Sequence, residues 1–340
     1  MEKIRVGLIG IGGMGRVHYN AYLKNPDAEV VAFCDVDPAK RAGQWGKMGL
    51  NIGTTEGQAV DLSKMRVYED YRDLVQDEGV DLVDICLPID LHAEPTIAAL
   101  NAGKHVLCEK PMARSSEECR AMEAAAAASG KQLIIAHCLR WWPHYVAAHA
   151  EIASGQYGKP ICARFHRAGG TPKWSYQDWL RQAPRSGGVV LDMHVHDVDT
   201  ALWWFGKPES LVADGHFLKD LPSSVDATWR YADGLCVHLH SLWDDNDMPF
   251  RYAFTVIMEK GTVLFDSGNG KPVRVVTEGG VTKELPLDGS SAYENEINEI
   301  VARLKAGEIV DRVTTEGSRL AVEMVEEEMR QIYERNGRTL

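Results

Sequence analysis

The chain has 340 residues, 45% hydrophobic and 25% charged, with a net charge of −12, the balance of an ordinary globular protein with room for two domains. That acidity, with no run of basic residues, excludes a nucleic-acid partner, and no stretch nears the ~18 apolar residues of a membrane helix. MEKIRVGLIG leads straight into a strand-like run without a cleavage signature, and Cys34, Cys86, Cys108, Cys119, Cys138, Cys162 and Cys236 are scattered with no CxxC spacing; a reducing cytoplasm is expected.

Ile4 to Ile9 is a short apolar run that ends in Gly10-Ile11-Gly12-Gly13-Met14-Gly15, and a helical stretch follows from Arg16 to Lys24. Glycines in that order let the backbone approach a pyrophosphate at a helix N-terminus. A second strand, Glu29 to Cys34, closes on Asp35, 20 residues past Gly15, where a carboxylate meets ribose hydroxyls and repels a 2′-phosphate. Val36, Asp37 and Pro38 follow it instead of an arginine, so NAD is favoured over NADP.

Strands and helices then alternate. Residues 43 to 64 read as an insertion or long loop. Arg66 to Tyr68, Val80 to Leu87, His105 to Cys108 and Gln132 to His137 read as strands. Helices lie at Glu69 to Gln76 and Ala93 to Ala102, and Ser115 with Glu118 makes a capping box for a third that ends at Gly130. The pattern predicts a doubly wound parallel sheet with its ligand at the carboxyl ends of the strands. Leu87-Pro88 and Glu109-Lys110-Pro111 stand at such ends. A lysine there lies by the cofactor and not in bulk solvent.

The alternation stops at Cys138. A helix from Tyr145 to Ser154 precedes strand-like runs at 159–168, 210–218, 224–231, 235–243, 252–258, 262–265 and 273–277. Short turns between several of them predict a mostly antiparallel sheet, and helices near 291–305 and 315–334 end the chain. His238 and His240 alternate onto one strand face, with no third ligand at a recognisable spacing.

One stretch packs Asp192, His194, His196, Asp197 and Asp199 into eight residues, which invites a metal reading. Leu191, Val195, Val198, Leu202 and Phe205, however, recur as one apolar stripe of an α-helix. On a helix, residues two apart diverge by about 200°, so His194 and His196 cannot grip one ion. No metal is expected. Asp192, His196 and Asp199 remain as a polar line beside the stripe.

Three stretches, GLIGIGGMGRVH, LPIDLHAEPTIAALNAGKHVLCEKP and SGGVVLDMHVHDVD, together resemble the glucose–fructose oxidoreductase/inositol dehydrogenase (Gfo/Idh/MocA) family over essentially the whole chain. The resemblance implies an N-terminal α/β Rossmann domain (1–137) that binds NAD, and a C-terminal α+β domain (138–340) whose large, mostly antiparallel sheet often makes subunit contacts. A homodimer or homotetramer is therefore expected. Sugars, cyclitols and related polyols are the implied substrates. Lys110 matches the family's catalytic lysine, and Asp192, His196 and Asp199 match D-x-G-x-H-x-x-D, with His194 in place of its glycine and Ile89 where Asn or Thr is usual.

The implied site has His196 as general base tuned by Asp192, and Lys110, held by Glu109, on the same oxygen. The cofactor set is Gly10, Ile11, Gly12, Gly13, Met14, Gly15, Asp35, Val36, Leu87, Pro88, His92, Glu109 and Lys110. Arg140, His166, Trp174, His194 and Tyr293 are candidates for substrate contact, with Trp179 beside Trp174 in a loop. Two other functions stay open: an NAD-dependent glycoside hydrolase and a non-catalytic cofactor-sensing regulator.

Overall fold

The computed structural model describes residues 2–50, 53–55, 58–287 and 289–339. The chain forms two compact units and crosses between them more than once. The first comprises Met1–Cys138, Trp174–Trp179 and Ala292–Arg319; the second comprises Leu139–Lys173, Leu180–Ser291 and Leu320–Leu340. The single cut after residue 137 that the sequence implies therefore misses two returns of the chain.

In the first unit, strands β1 (Ile4–Ile9), β2 (Ala28–Cys34), β3 (Arg66–Tyr68), β4 (Leu82–Ile85), β5 (His105–Glu109) and β6 (Leu133–Ala136) make one sheet. Their order is β6-β5-β4-β1-β2-β3, and every pairing is parallel. Helices α1 (Gly13–Lys24), α2 (Ala93–Asn101) and α3 (Ser116–Ser129) provide crossovers. A sheet covered on both faces needs strands that are apolar throughout, and Val6, Leu8, Leu82, Val83, Val106 and Leu107 are wholly buried. The strand order reverses between β1 and β4, so the loops after those strands flank the crevice where such sheets bind ligands. The capping box forms as read, with Ser115 and Glu118 each accepting from the other's backbone N–H, and Gly130 ends α3 in the left-handed region.

The insertion carries structure of its own. Gln44–Trp45 pairs with Gln58–Ala59, and Met48–Leu50 with Gly53–Thr55. Trp45 anchors it, buried edge-on against Tyr19 and Phe33 at 4.9 and 5.3 Å.

The second unit holds α4 (Pro143–Ala153), α5 (Gly188–Asp192), α6 (Val195–Phe205) and an eight-stranded sheet. The strands are β7 (Pro160–Gly170), β8 (Ser210–Asp214), β9 (Ser224–Arg230), β10 (Cys236–Asp244), β11 (Arg251–Met258), β12 (Gly261–Asp266), β13 (Arg274–Thr277) and β14 (Thr282–Glu284). They run in the order β8-β9-β10-β7-β11-β12-β13-β14, antiparallel except for β7 beside β10. Alternation sets the two faces. On β10, Val237, Leu239, Ser241 and Trp243 are buried, while Cys236, His238 and His240 face the other way and are half-buried. Trp204 of α6 packs on Phe165 and Phe254 of the inner face, at 5.4 and 5.3 Å.

The chain ends in α7 (Ala292–Ala306), which belongs to the first unit, and α8 (Thr315–Arg335), which belongs to the second from Leu320 onward. Among the described residues, no helix is long and apolar enough to cross a membrane. Trp45→Ala should cost about 3–5 kcal/mol, read as a lower urea midpoint of unfolding.

Candidate active site

Gly10 follows β1 with φ +89°, a conformation open to glycine alone at low cost. A Cβ on Gly15 would stand 2.0 Å from the Gly10 carbonyl oxygen, so no side chain fits where α1 meets the loop. Helix α1 starts at Gly13 without a side-chain cap, which leaves its first N–H groups for an anion. This cradle fits a dinucleotide pyrophosphate.

Asp35 lies at the end of β2 as expected, but its carboxylate already has partners. Oδ2 accepts from the Ile11 N–H at 2.8 Å, Oδ1 accepts from the Asp37 N–H at 2.9 Å, and Lys40 Nζ stands 3.4 Å from Oδ2. The acid thus ties the glycine loop to the strand end it faces. Val36 beside it is 65% exposed.

Leu87-Pro88 and Lys110-Pro111 follow β4 and β5, with a cis peptide before Pro111. His92 joins the two loops from below, its Nε2 at 2.9 Å from the Leu87 carbonyl and its Nδ1 at 2.9 Å from the Pro111 carbonyl. Burial pushes its pKa below the usual histidine range, so a neutral ring donates to one of the two. The ring is 1% exposed, and its contacts are with those loops. Glu109 holds Lys110 by the main chain, its Oε2 accepting from the Lys110 N–H at 3.0 Å.

Beneath Glu109 lies a group that no local pattern announced. His18 of α1 has no exposed surface; its Nδ1 is 2.9 Å from Asp84 Oδ2, and its Nε2 is 3.2 Å from Glu109 Oε1, off the line of a good hydrogen bond. Cys86 Sγ lies 3.5 Å from both His18 Nδ1 and Asp84 Oδ1. His18, Asp84 and Cys86 are metal-binding types within 4.8 Å of one another. The spacings are those of hydrogen bonds, however, and burial pushes the thiol far up, into the protonated form that does not ligate. The readable signal was Asp84, the acid inside the otherwise apolar strand Leu82–Ile85.

In the second unit, the apolar stripe is buried as read: Leu191, Val195 and Val198 are at most 1% exposed. The helix is not continuous, though. It breaks at Met193 and His194, where the His194 N–H reaches back five residues to the Val189 carbonyl. Such a widened turn is a π-type bulge, a frequent feature of functional sites. Asp192 ends α5, and His196 opens α6 on the far side of the bulge.

The acid–histidine cluster then sorts itself. Asp197 takes a bidentate pair from Arg167 at 2.8 and 3.0 Å, and Arg167 also donates to the Tyr145 hydroxyl. Asp199 takes the same from Arg140 at 2.8 and 3.0 Å. His194 has no exposed surface; Nδ1 is 2.9 Å from Ser241 Oγ and Nε2 is 3.1 Å from Glu328 Oε2. The substitution for the family's glycine is thus an interior link between helix, sheet and α8. It does not reach the surface where a substrate would touch it. Asp192 is 8% exposed, and His196 is half-buried.

The other substrate candidates fall in both units. Arg140 is the buried partner of Asp199. His166 lies on the outer sheet face, opposite Phe165 and Arg167, with its Nδ1 2.8 Å from that of His240. Trp174, 42% exposed, belongs to the first unit and lies over Gly49 of the insertion. Tyr293, on α7, is also in the first unit, and burial raises its hydroxyl well above the usual range.

A glycine cradle on an uncapped helix, an acid at the next strand end and a lysine at a third define a nicotinamide-dinucleotide oxidoreductase. Residues 4–137 match the profile of an oxidoreductase family with an NAD-binding Rossmann fold, and residues 145–264 match the GFO/IDH/MocA C-terminal domain. The chain belongs to the Gfo/Idh/MocA oxidoreductase family. It is 31% identical over 304 residues to a 1,5-anhydro-D-fructose reductase of Ensifer adhaerens, covering 85% of each chain. It is 27% identical over 322 residues to an inositol 2-dehydrogenase of Rhizobium meliloti, covering 89% of each. A levoglucosan dehydrogenase solved with NADH and levoglucosan shares the fold, with a TM-score of 0.82 at 21% identity over 97% of both chains.

Asp35→Ala removes the tie between the glycine loop and the end of β2. NADH binding followed by calorimetry should weaken at least about tenfold, near 1.4 kcal/mol.

Proposed function

We propose that the protein oxidises a secondary hydroxyl of a sugar, cyclitol or related polyol, reversibly, with NAD as acceptor. The observation that carries this is the sorting of the acid–histidine cluster. Asp197, Asp199 and His194 anchor the fold, and Asp192 and the half-buried His196, on either side of the bulge, are the acid and the histidine that a proton-transfer role requires. The names of the relatives, a reductase of an anhydro-sugar and an inositol dehydrogenase, favour the same substrate class.

His196 takes the hydroxyl proton, with Asp192 orienting the ring. Lys110 binds the same oxygen and stabilises the alkoxide as the O–H bond breaks. When bound, NAD supplies the acceptor for the hydride that leaves the carbinol carbon. The carbon–oxygen double bond closes behind the departing hydride, and the proton goes from His196 to water. Gly10 to Gly15 and Asp35 hold the cofactor's pyrophosphate and ribose. The half-buried outer face of the eight-stranded sheet is where we place a homodimer or homotetramer contact.

Lys110→Ala and His196→Ala should each retain NADH binding and lose roughly 10²–10⁴-fold in turnover. Retained turnover in both variants overturns the assignment. NADH formation against a panel of inositols, aldoses and sugar acids identifies the substrate. Cleavage of an aryl glycoside without net NADH would point to the hydrolase, and cofactor binding without turnover of either kind to a regulator.

A further inference from the structure

Between the glycine-loop helix and the strand that delivers Lys110 lies a dry pocket of charge that the proposed chemistry leaves unused. Helix α1 contributes His18, β4 contributes Asp84, β5 contributes Glu109, and α7 closes the pocket with Glu296. His18, Asp84 and Glu296 have no exposed surface, and Glu109 is 6% exposed. Burial alone opposes a charge on His18, but the Asp84 carboxylate outweighs it and holds the imidazole well above the usual histidine range. Burial also works against an ionised Glu109, and His18 nevertheless brings it below the usual glutamate range.

Apart from Lys110, whose charge lowers Glu109 less than His18 does, the neighbours of Glu109 named here carry no charge to replace the imidazole. Burial keeps the thiols of Cys86 and Cys108 and the hydroxyl of Tyr293 protonated, and His92 is neutral. Glu296 has no hydrogen-bond partner for either oxygen among the described residues. Burial pushes it far up, with Glu109 and Asp84 adding to the effect, so this third carboxyl stays neutral. Among the described residues with no exposed surface, His18 is thus the cation that faces both carboxylates.

We propose that His18, clamped between Asp84 and Glu109, is a positioning residue for Lys110: it fixes the Glu109 carboxylate under the Lys110 main-chain N–H and so sets where the lysine side chain departs. The proposal rests on the reading of Lys110 as the group that meets the reacting oxygen. A glutamate held at one oxygen only can change rotamer. Held by His18 at Oε1 and by the Lys110 N–H at Oε2, it has one arrangement that serves both. A displacement of about 1 Å at a reacting group costs on the order of 10²-fold in rate.

The test compares His18→Gln, Asp84→Asn and Lys110→Ala with the parent enzyme, using the best-oxidised polyol of the panel above. NADH titration counts intact sites, and kcat and KM are measured across pH. In His18→Gln, NADH affinity and KM should stay within about threefold, and kcat per NADH-binding site should fall at least tenfold. An acid limb should also appear. Without the imidazole, burial raises the Glu109 carboxyl, so turnover drops as pH falls through a range where the parent is flat. Asp84→Asn leaves the ring in place but removes the carboxylate that keeps it charged, and should show the same limb with a smaller loss. It carries the test if His18→Gln does not fold.

Parent-like turnover per site with an unchanged pH profile overturns the proposal. So does a fall in kcat that only tracks lost NADH sites. If Lys110→Ala also keeps its turnover, the reading of Lys110 has failed rather than the role of His18.

Discussion

Charge buried away from water has to be paired, at a cost of several kcal/mol for each ion left without a partner. The Rossmann unit is built around that constraint. The Asp84–His18–Glu109 contacts tie α1, β4 and β5 together at fixed spacing. The same α1 presents its free N–H groups to the cofactor, and the same β5 ends at Lys110. Cofactor cradle and lysine thus share one rigid frame. The second unit uses the same means: Arg167–Asp197 and Arg140–Asp199, buried and bidentate, hold α6 against β7 and against the turn before α4. Within each unit, the elements that carry the candidate residues are set by interior ion pairs more than by loops.

Much of the fold was legible because both periodicities were clean. Short, largely apolar runs between helices gave the parallel sheet, and alternation gave the faces of the second. The failures have physical reasons. Thr282–Glu284 is an edge strand whose side chains are all exposed, so it leaves no hydrophobic pattern. The segment around Gly43 to Lys64 is rich in glycine and threonine and reads as loop, yet Trp45 gives it a core contact that only the three-dimensional neighbours Tyr19 and Phe33 explain. The return of α7 to the first unit is a long-range event without a local signal.

The site was legible in its types and less so in its roles. Glycines, a strand-end acid and a strand-end lysine follow from local rules, and each lies where those rules put it. The histidine cluster does not follow so simply. A helical stripe tells which residues face inward, but not which of the polar ones find partners there. His194 reads as a candidate substrate contact until Ser241 and Glu328, 47 and 134 positions later in the chain, close around it. The bulge at His194 is equally silent, because Met193 and His194 keep helical dihedral angles and only the hydrogen-bond pattern changes.

The return of α7 also has a bearing on synthesis. Lys24 and Asn25, at the end of α1, bond Glu294 and Asn298, and Asp27 just beyond bonds Lys305. Glu296, on the same helix, closes the pocket of buried charge. A nascent chain that has reached Cys138 has every strand of the parallel sheet but lacks this wall. More than 150 further residues, including every strand of the other sheet, leave the ribosome before α7 does. The nucleotide-binding unit, first in the chain, is thus among the last parts of the molecule to be completed.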